Sequence, residues 1–249
     1  MPPARGVPYT PRVEISGASA LVTGAGRGIG RAIALALARA GARVTAVSRT
    51  ARDIEALATE IRSAGGQALA HPGDLREPAV CTGAVAAAVA GHGGLQIVVN
   101  NAGVGAFSTL LDTSDADWER VLATNLTAVF RVTRAALPHL TKGGGHVFMI
   151  SSLAGRNPMA GMGAYCASKA ALDQLSACLM LEVRHQGVKV TTIAPGSVDT
   201  GFRGVAPAGD APWKLRPEDV AATVLDLLRT RDDAHLSRVE MRPARPPKT

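Results

Sequence analysis

Aromatic side chains are scarce in this sequence: two Trp, two Tyr and four Phe, 3% of the residues. A core built on large rings is excluded, and the many Ala and Gly residues favour closely packed helices and tight turns. Cysteine is rarer still. Cys81, Cys166 and Cys178 are an odd number without metal-ligand spacing, which excludes a disulfide framework and points to a reduced, cytoplasmic chain with no metal. No run reaches the roughly 18 apolar residues that a membrane helix needs, so no membrane partner is expected. Met1–Thr10 carries Pro2, Pro3 and Pro8 and no apolar core, so it is not a secretory signal.

Acidic residues are missing from both ends. Residues 1–13 hold Arg5 and Arg12, and residues 241–249 hold Arg242, Arg245 and Lys248, with no carboxylate side chain in either stretch. These tails supply five of the seven net positive charges, and the body between them is close to balanced. A Pro/Arg-rich tail is ordinarily solvated, so nucleic acid is excluded as the principal partner. None of the six histidines pairs with acids or cysteines in a pattern that suggests a metal site or a triad.

What is present is a regular alternation. Apolar strand patterns at residues 18–23, 43–48, 67–71, 95–100, 146–150, 188–194 and 237–241 are separated by helical patterns at 28–40, 51–64, 77–90, 115–137, 165–186 and 218–228. The long 115–137 helix is expected to end at Pro138. Strands alternating with helices at this spacing define βαβ units in a doubly wound, Rossmann-type parallel α/β sheet with helices on both faces. A chain of 249 residues with 47% apolar content suits one such domain. Its expected limits are 14–242, between flexible basic tails at 1–13 and 243–249.

The first strand enters the turn Thr23-Gly24-Ala25-Gly26-Arg27-Gly28-Ile29-Gly30. Glycines permit a sharp turn and let a pyrophosphate approach the unpaired N–H groups of the helix that follows, so a dinucleotide site is expected. The second strand ends in Ser48-Arg49-Thr50 instead of the acid that would hold a ribose 2′-hydroxyl. With Arg27 in the turn, two guanidinium groups and two hydroxyls suit a 2′-phosphate, and no carboxylate is evident to repel it, so the expected cofactor is NADP(H).

A second chemical group follows the fifth strand. Ser152 stands after the strand, and Tyr165 and Lys169 lie four apart on a helix, where they share a face. A loop can return Ser152 to the same place, so a hydroxyl, a phenol and an ammonium converge as a proton-handling group. Reducing a carbonyl by hydride requires a proton at the oxygen as charge develops there. A nearby ammonium favours a phenolate over a phenol, and Ser152 can donate a hydrogen bond to the same oxygen. Asn125 falls within an expected apolar helix face of Trp118, Val121, Leu122, Leu126, Val129 and Phe130, where a buried amide must find partners.

Together these motifs resemble the short-chain dehydrogenase/reductase family over about residues 15–242. The Thr23–Gly30 turn looks like its cofactor motif. Asn100-Asn101-Ala102-Gly103 matches its motif after the fourth strand, and Pro195-Gly196 through Val198 and Thr200 matches its segment after the sixth. Asp74, with Leu75 beside it, sits where the family contacts adenine. The resemblance implies a catalytic set of Asn125, Ser152, Tyr165 and Lys169. In it Lys169 also holds the nicotinamide ribose, and Asn125 holds a water that relays protons. The alternative for Asn125 is a structural amide bonded to neighbouring backbone.

The strand end Ser48-Arg49 is similar to that of NADPH-dependent carbonyl reductases, and a homotetramer or homodimer is implied by the same resemblance. One departure is the C-terminal Arg-Pro-Ala-Arg-Pro-Pro, where many members carry glycine. The expected activity is NADPH-dependent reduction of a ketone, including a 3-oxoacyl thioester, to a secondary alcohol. The alternatives are an NADP-linked secondary alcohol or polyol dehydrogenase working oxidatively and, in another class, a non-catalytic NADP(H)-sensing protein. Residues 199–216, with Phe202 and Trp213 as their large rings, are expected to border an open substrate site.

Overall fold

The computed structural model describes residues 13–202 and 212–247. Seven strands form one sheet: β1 (Ser19–Thr23), β2 (Arg43–Ser48), β3 (Gln67–Pro72), β4 (Ile97–Asn100), β5 (Gly145–Ile150), β6 (Val188–Pro195) and β7 (Arg238–Met241). Their order is β3-β2-β1-β4-β5-β6-β7 and every neighbouring pair is parallel. Parallel sheets need cover on both faces. The cover comes from α1 (Gly28–Arg39), α2 (Ala51–Ser63), α3 (Pro78–His92), α4 (Asp115–Leu122), α5 (Ala128–Gly143), α6 (Gly163–Val183) and α7 (Pro217–Arg229).

Side chains that alternate along the strands feed two cores. In β5, Phe148 and Ile150 pack with Ile33 and Leu37 of α1, Ile54 of α2 and Val224 of α7. Val147 and Met149 pack with Val85 of α3, Val132 of α5 and Leu172 of α6. β1, β4 and β5 are buried at every position, as strands covered on both sides must be. The chain winds outward from β1 to β3 and then crosses to β4, so a crevice opens where the carboxyl ends of β1 and β4 part, the usual place for a ligand in an open α/β sheet. No helix among the described residues is long and apolar enough to cross a membrane.

The helical stretch before β5 departs from expectation in two ways. Pro138 lies inside α5, which runs on to Gly143. Leu140, beyond the proline, is fully buried, and its Cδ2 lies 2.6 Å from where a Cβ on Gly145 would stand. Burying such a side chain contributes about 1.5–3 kcal/mol, comparable to the roughly 3 kcal/mol that an interior proline costs. The second departure is a π turn at Ala123–Thr127 between α4 and α5. The wider turn shifts the helical phase, so the expected single apolar face is split. Val121 and Val129 are buried, but Phe130 is 43% exposed, with the Arg134 guanidinium 4.7 Å from its ring centroid.

Of the expected basic tail at 1–13, residues 1–12 lie outside the described residues, whereas Val13 packs on the core. At the other end Pro243 lies against Gly196, its Cδ 3.2 Å from where a Cβ would stand. Positions 203–211 of the expected substrate-bordering segment also lie outside the described residues.

Candidate active site

The glycine turn is shaped by close backbone approach. Gly24 and Gly28 have φ of 65° and 55°, where an L side chain is strained. A Cβ on Gly30 would stand 2.3 Å from the Gly24 carbonyl oxygen and 2.4 Å from Asn101 Nδ2, so no side chain fits there. α1 opens at Gly28, with Arg27 at its N-cap in an extended conformation and making no side-chain cap hydrogen bond. The first-turn N–H groups therefore face the crevice as donors for an anion. Thr200, beyond β6, closes the other side, its Cβ 3.1 Å from the position of a Gly28 Cβ. A narrow cradle with unpaired backbone donors fits a dinucleotide pyrophosphate.

Thr23, Asn101 and Ala102 hold this cradle together. Thr23 Oγ1 accepts from Asn101 N (2.9 Å) and Ala102 N (3.1 Å) and donates to Val99 O (3.2 Å). Asn101 Nδ2 donates to Thr23 O (2.9 Å) and Gly24 O (3.2 Å). Thr23 Oγ1 and Asn101 Nδ2 are thus spent in joining the ends of β1 and β4. Leu75 turns its side chain into the core, while its carbonyl accepts from the Cys81 thiol at 3.0 Å. Pro195 is buried at the end of β6, Val198 packs on the core, and Gly196 is pressed between Leu153 and Pro243.

At the end of β2, Arg49 and Thr50 are exposed, as is Arg27, and Ser48 Oγ donates to Thr50 O at 3.4 Å. One acid does approach. Asp53, in the first turn of α2, folds back so that its Oδ2 lies 3.5 Å from the site of a Gly26 Cβ, next to Ser48. The sequence around Ser48 shows no carboxylate because Asp53 arrives through the helix that follows. Asp74 pairs with Arg76 at 2.7 Å, and this hydrogen bond holds its carboxyl below the ordinary value, with the Arg49 charge acting in the same direction.

β5 delivers Ser151 and Ser152 to the crevice. Ser152 Oγ accepts from Ala154 N at 3.1 Å and so caps the short 3-10 turn Leu153–Gly155. That turn lies on α6: a Cβ on Gly155 would stand 3.0 Å from the carbonyl carbon of Lys169. On α6, Tyr165 is 9% exposed and Lys169 is 4% exposed. Lys169 Nζ donates to Ile150 O at 2.8 Å and stands 5.8 Å from the centroid of the Tyr165 ring. Burial pulls this ammonium down from 10.5 to about 8, against the opposing charge of Asp173 one turn further along. Asp173 is itself paired with Arg238 of β7 at 2.6 Å. At neutral pH Lys169 is a buried cation with a single backbone acceptor among the described residues.

Asn125 sits in the π turn, fully buried. Its Oδ1 accepts from Val104 N at 2.8 Å, and its Nδ2 donates to Val104 O and to Ser168 Oγ, both at 2.9 Å. Ser168 Oγ in turn donates to Tyr165 O at 2.7 Å. No motif in the sequence singles out Ser168, although it lies three residues after Tyr165 on the buried side of the helix. The position of a Gly103 Cβ is 3.4 Å from Asn125 Oδ1 and 3.7 Å from Lys169 Nζ. The space above Gly103 therefore lies between the amide and the ammonium.

A cradle for a dinucleotide beside a buried phenol–ammonium pair, on a 3-2-1-4-5-6-7 parallel sheet, defines a nicotinamide-dependent oxidoreductase. The family model described as short chain dehydrogenase matches residues 18–210, and the chain belongs to that family; its cofactor is NAD(P)(H). The chain is 38% identical over 194 residues to the 2,5-dichloro-2,5-cyclohexadiene-1,4-diol dehydrogenase of Sphingobium indicum, covering 78% of each protein. It is 36% identical over 197 residues to a probable tetrahydroxynaphthalene reductase of Zymoseptoria tritici, covering 78% of this chain and 73% of the relative. Among solved structures, a metagenomic short-chain oxidoreductase in complex with NADP superposes with a TM-score of 0.82 at 38% identity, over 92% of this chain and 98% of that one.

Proposed function

We propose that the protein is an NADPH-dependent reductase that converts a ketone to a secondary alcohol. The observation that carries this reading is the buried Lys169 ammonium beside the Tyr165 ring. A packing role does not require a cation at 4% exposure, and burying one is costly.

The reduced dinucleotide, when bound, supplies a hydride to the carbonyl carbon. Tyr165 gives its phenolic proton to the carbonyl oxygen, so the ketone gains two electrons and two hydrogen nuclei in all. The Lys169 ammonium stabilises the phenolate left behind, and Ser152 hydrogen-bonds the same substrate oxygen. The second lone pair of Asn125 Oδ1 and the Lys169 ammonium bracket the space above Gly103, which is the place for a relay water that reprotonates the phenolate. The two readings of Asn125 are compatible, because an amide clamped to Val104 is also a fixed acceptor.

Arg27 and Arg49 support NADP over NAD: two guanidinium groups outnumber the single Asp53 carboxylate at the end of β2. The backbone around Gly24, Gly26, Gly28, Ile29, Ala102, Gly103, Gly196 and Thr200 lines the path of the cofactor in this reading, with Asp74 at the adenine end. Phe130 on α5 and Leu181 on α6 are exposed, which suits a homodimer or homotetramer built on those helices. The cofactor assignment is tested by titrating NADPH and NADH into wild type and Arg49→Ala. A preference for NADPH that falls about tenfold or more in the variant supports it; equal binding of the two cofactors, unchanged by the substitution, refutes it.

A further inference from the structure

We infer that the ketone of this reductase is carried on a ring, and that Phe107 and Phe202 select it. The inference rests on the reductase reading and adds the substrate class. In a chain with two Trp, two Tyr and four Phe, three of the rings meet at one point, and one of them is Tyr165. Phe107 lies 6.3 Å from Tyr165 between centroids, Phe202 lies 5.6 Å from Tyr165, and the two phenylalanines are 6.2 Å apart. They reach this point from separate segments: the stretch after β4, the stretch after β6, and α6.

Neither phenylalanine serves the core. Phe107 and Phe202 are 41% and 39% exposed, whereas Phe148, on the strand that leads to Ser152, is fully buried. Phe107 folds back over Gly105: a Cβ there would stand 2.4 Å from its Cζ and 2.7 Å from its Cε2. The ring therefore lies over the Gly105 backbone, where a side chain would displace it. The apolar surface continues outward. Met159 and Leu110 are 45% and 80% exposed, and the segments that bear them approach where the site of a Gly161 Cβ is 4.0 Å from Ser108 O.

Tilts of 49°, 54° and 78° among the three rings mean that the cluster presents edges as well as faces to a group packing on it. Aromatic groups prefer tilted and edge-to-face contact at centroid distances of about 4.5–7 Å. A rigid ring packing on this cluster can satisfy that geometry without losing rotamer freedom, which an open chain must lose. Nearby charges are already committed: Arg120 is paired with Asp117 at 2.6 Å and reaches Gly105 O at 3.4 Å, and Lys169 is buried behind Tyr165. Phe107 and Phe202 offer faces and edges to an uncharged ring, and their side chains carry no polar atom for the hydroxyls of a polyol.

The test uses the full chain with saturating NADPH. The ratio of kcat/KM for acetophenone to that for 2-octanone, which has the same carbon number, is measured in wild type, Phe107→Leu, Phe202→Leu and Gly105→Ala, with a 3-oxoacyl thioester as a third substrate. Wild type is expected to favour the aryl ketone by about tenfold or more, and each Phe→Leu variant to lower the ratio by about fivefold or more. Phe107→Tyr is expected to recover it, and Gly105→Ala to lower it by displacing the Phe107 ring. A wild type that reduces 2-octanone or the thioester as well as acetophenone, or variants that leave the ratio unmoved, overturns the inference and leaves the reductase reading standing. Because wild type alone decides the first point, a variant that fails to fold does not rescue the proposal. NADPH consumption with none of the three, in protein shown to bind NADPH, overturns the reading and the inference together.

Discussion

The two sides of Tyr165 are built on opposite principles. Behind it, Asn125, Ser168 and Lys169 are buried, and each is hydrogen-bonded to named protein atoms. In front of it, Phe107 and Phe202 offer apolar rings that are more than a third exposed. Buried polar groups without partners are costly, so the rear is fixed by hydrogen bonds and tolerates little change. The front contributes little to folding and is free to be shaped for whatever enters. In the proposed reading, proton handling belongs to the packed side and choice of substrate to the open side.

Substitutions at packed positions, in the glycine turn and behind Tyr165, should cost most. Gly30→Ala is expected to be the most damaging, because its methyl would meet the Gly24 carbonyl oxygen at 2.3 Å with no flexible atom to yield. A loss of more than about 4 kcal/mol is expected in chemical unfolding, together with loss of NADPH binding; a normal midpoint with intact binding contradicts the account of the turn. Asn125→Ala leaves Val104 N–H, Val104 C=O and Ser168 short of partners, so a destabilisation of about 2–4 kcal/mol is expected by the same measurement.

Lys169 gives a prediction in pH. Its folded pKa of about 8 lies below the ordinary 10.5, so between these values the unfolded chain binds more protons. Stability therefore rises with pH across that window, and below about 8 folding bears the full cost of the buried charge. Comparing cofactor-free wild type with Lys169→Met, the stability difference should change by on the order of 3 kcal/mol from pH 7 to 10.5, in favour of wild type as pH rises. A difference that stays constant would mean that the ammonium is not buried as described.

Gly103→Ala is the mildest substitution and the one that separates the two roles of Asn125. Its methyl would make ordinary contacts at 3.4 and 3.7 Å, so stability should change by about 1 kcal/mol or less. If a relay water occupies that space, kcat at saturating NADPH falls about tenfold; if Asn125 is only a clamp on Val104, kcat is unchanged.

The same contrast explains what the sequence reveals. The expected second strand, 43–48, coincides with β2, and the other strands agree to within two residues at either end; the central ones are legible because parallel strands buried on both faces are continuous apolar runs bounded by turns. Tyr165 and Lys169 are legible because helical spacing alone puts them on one face. The Ser168 link, the return of Asp53 to Gly26 and the fold of Phe107 over Gly105 depend on residues distant in the chain or on a particular backbone path, which no local pattern encodes. The π turn at Asn125 and the continuation past Pro138 are cases where tertiary packing overrides a local rule. In both, the missed feature is a contact and not a propensity.

The central claim is that the Tyr165 phenol delivers the proton. It is tested most directly by comparing wild type with Tyr165→Phe for NADPH binding and for ketone-dependent NADPH oxidation at neutral pH. The account predicts that the variant still binds NADPH, within a few-fold of wild type, and loses about a thousandfold or more in kcat. A Tyr165→Phe protein that reduces the ketone within about tenfold of the wild-type rate would contradict it.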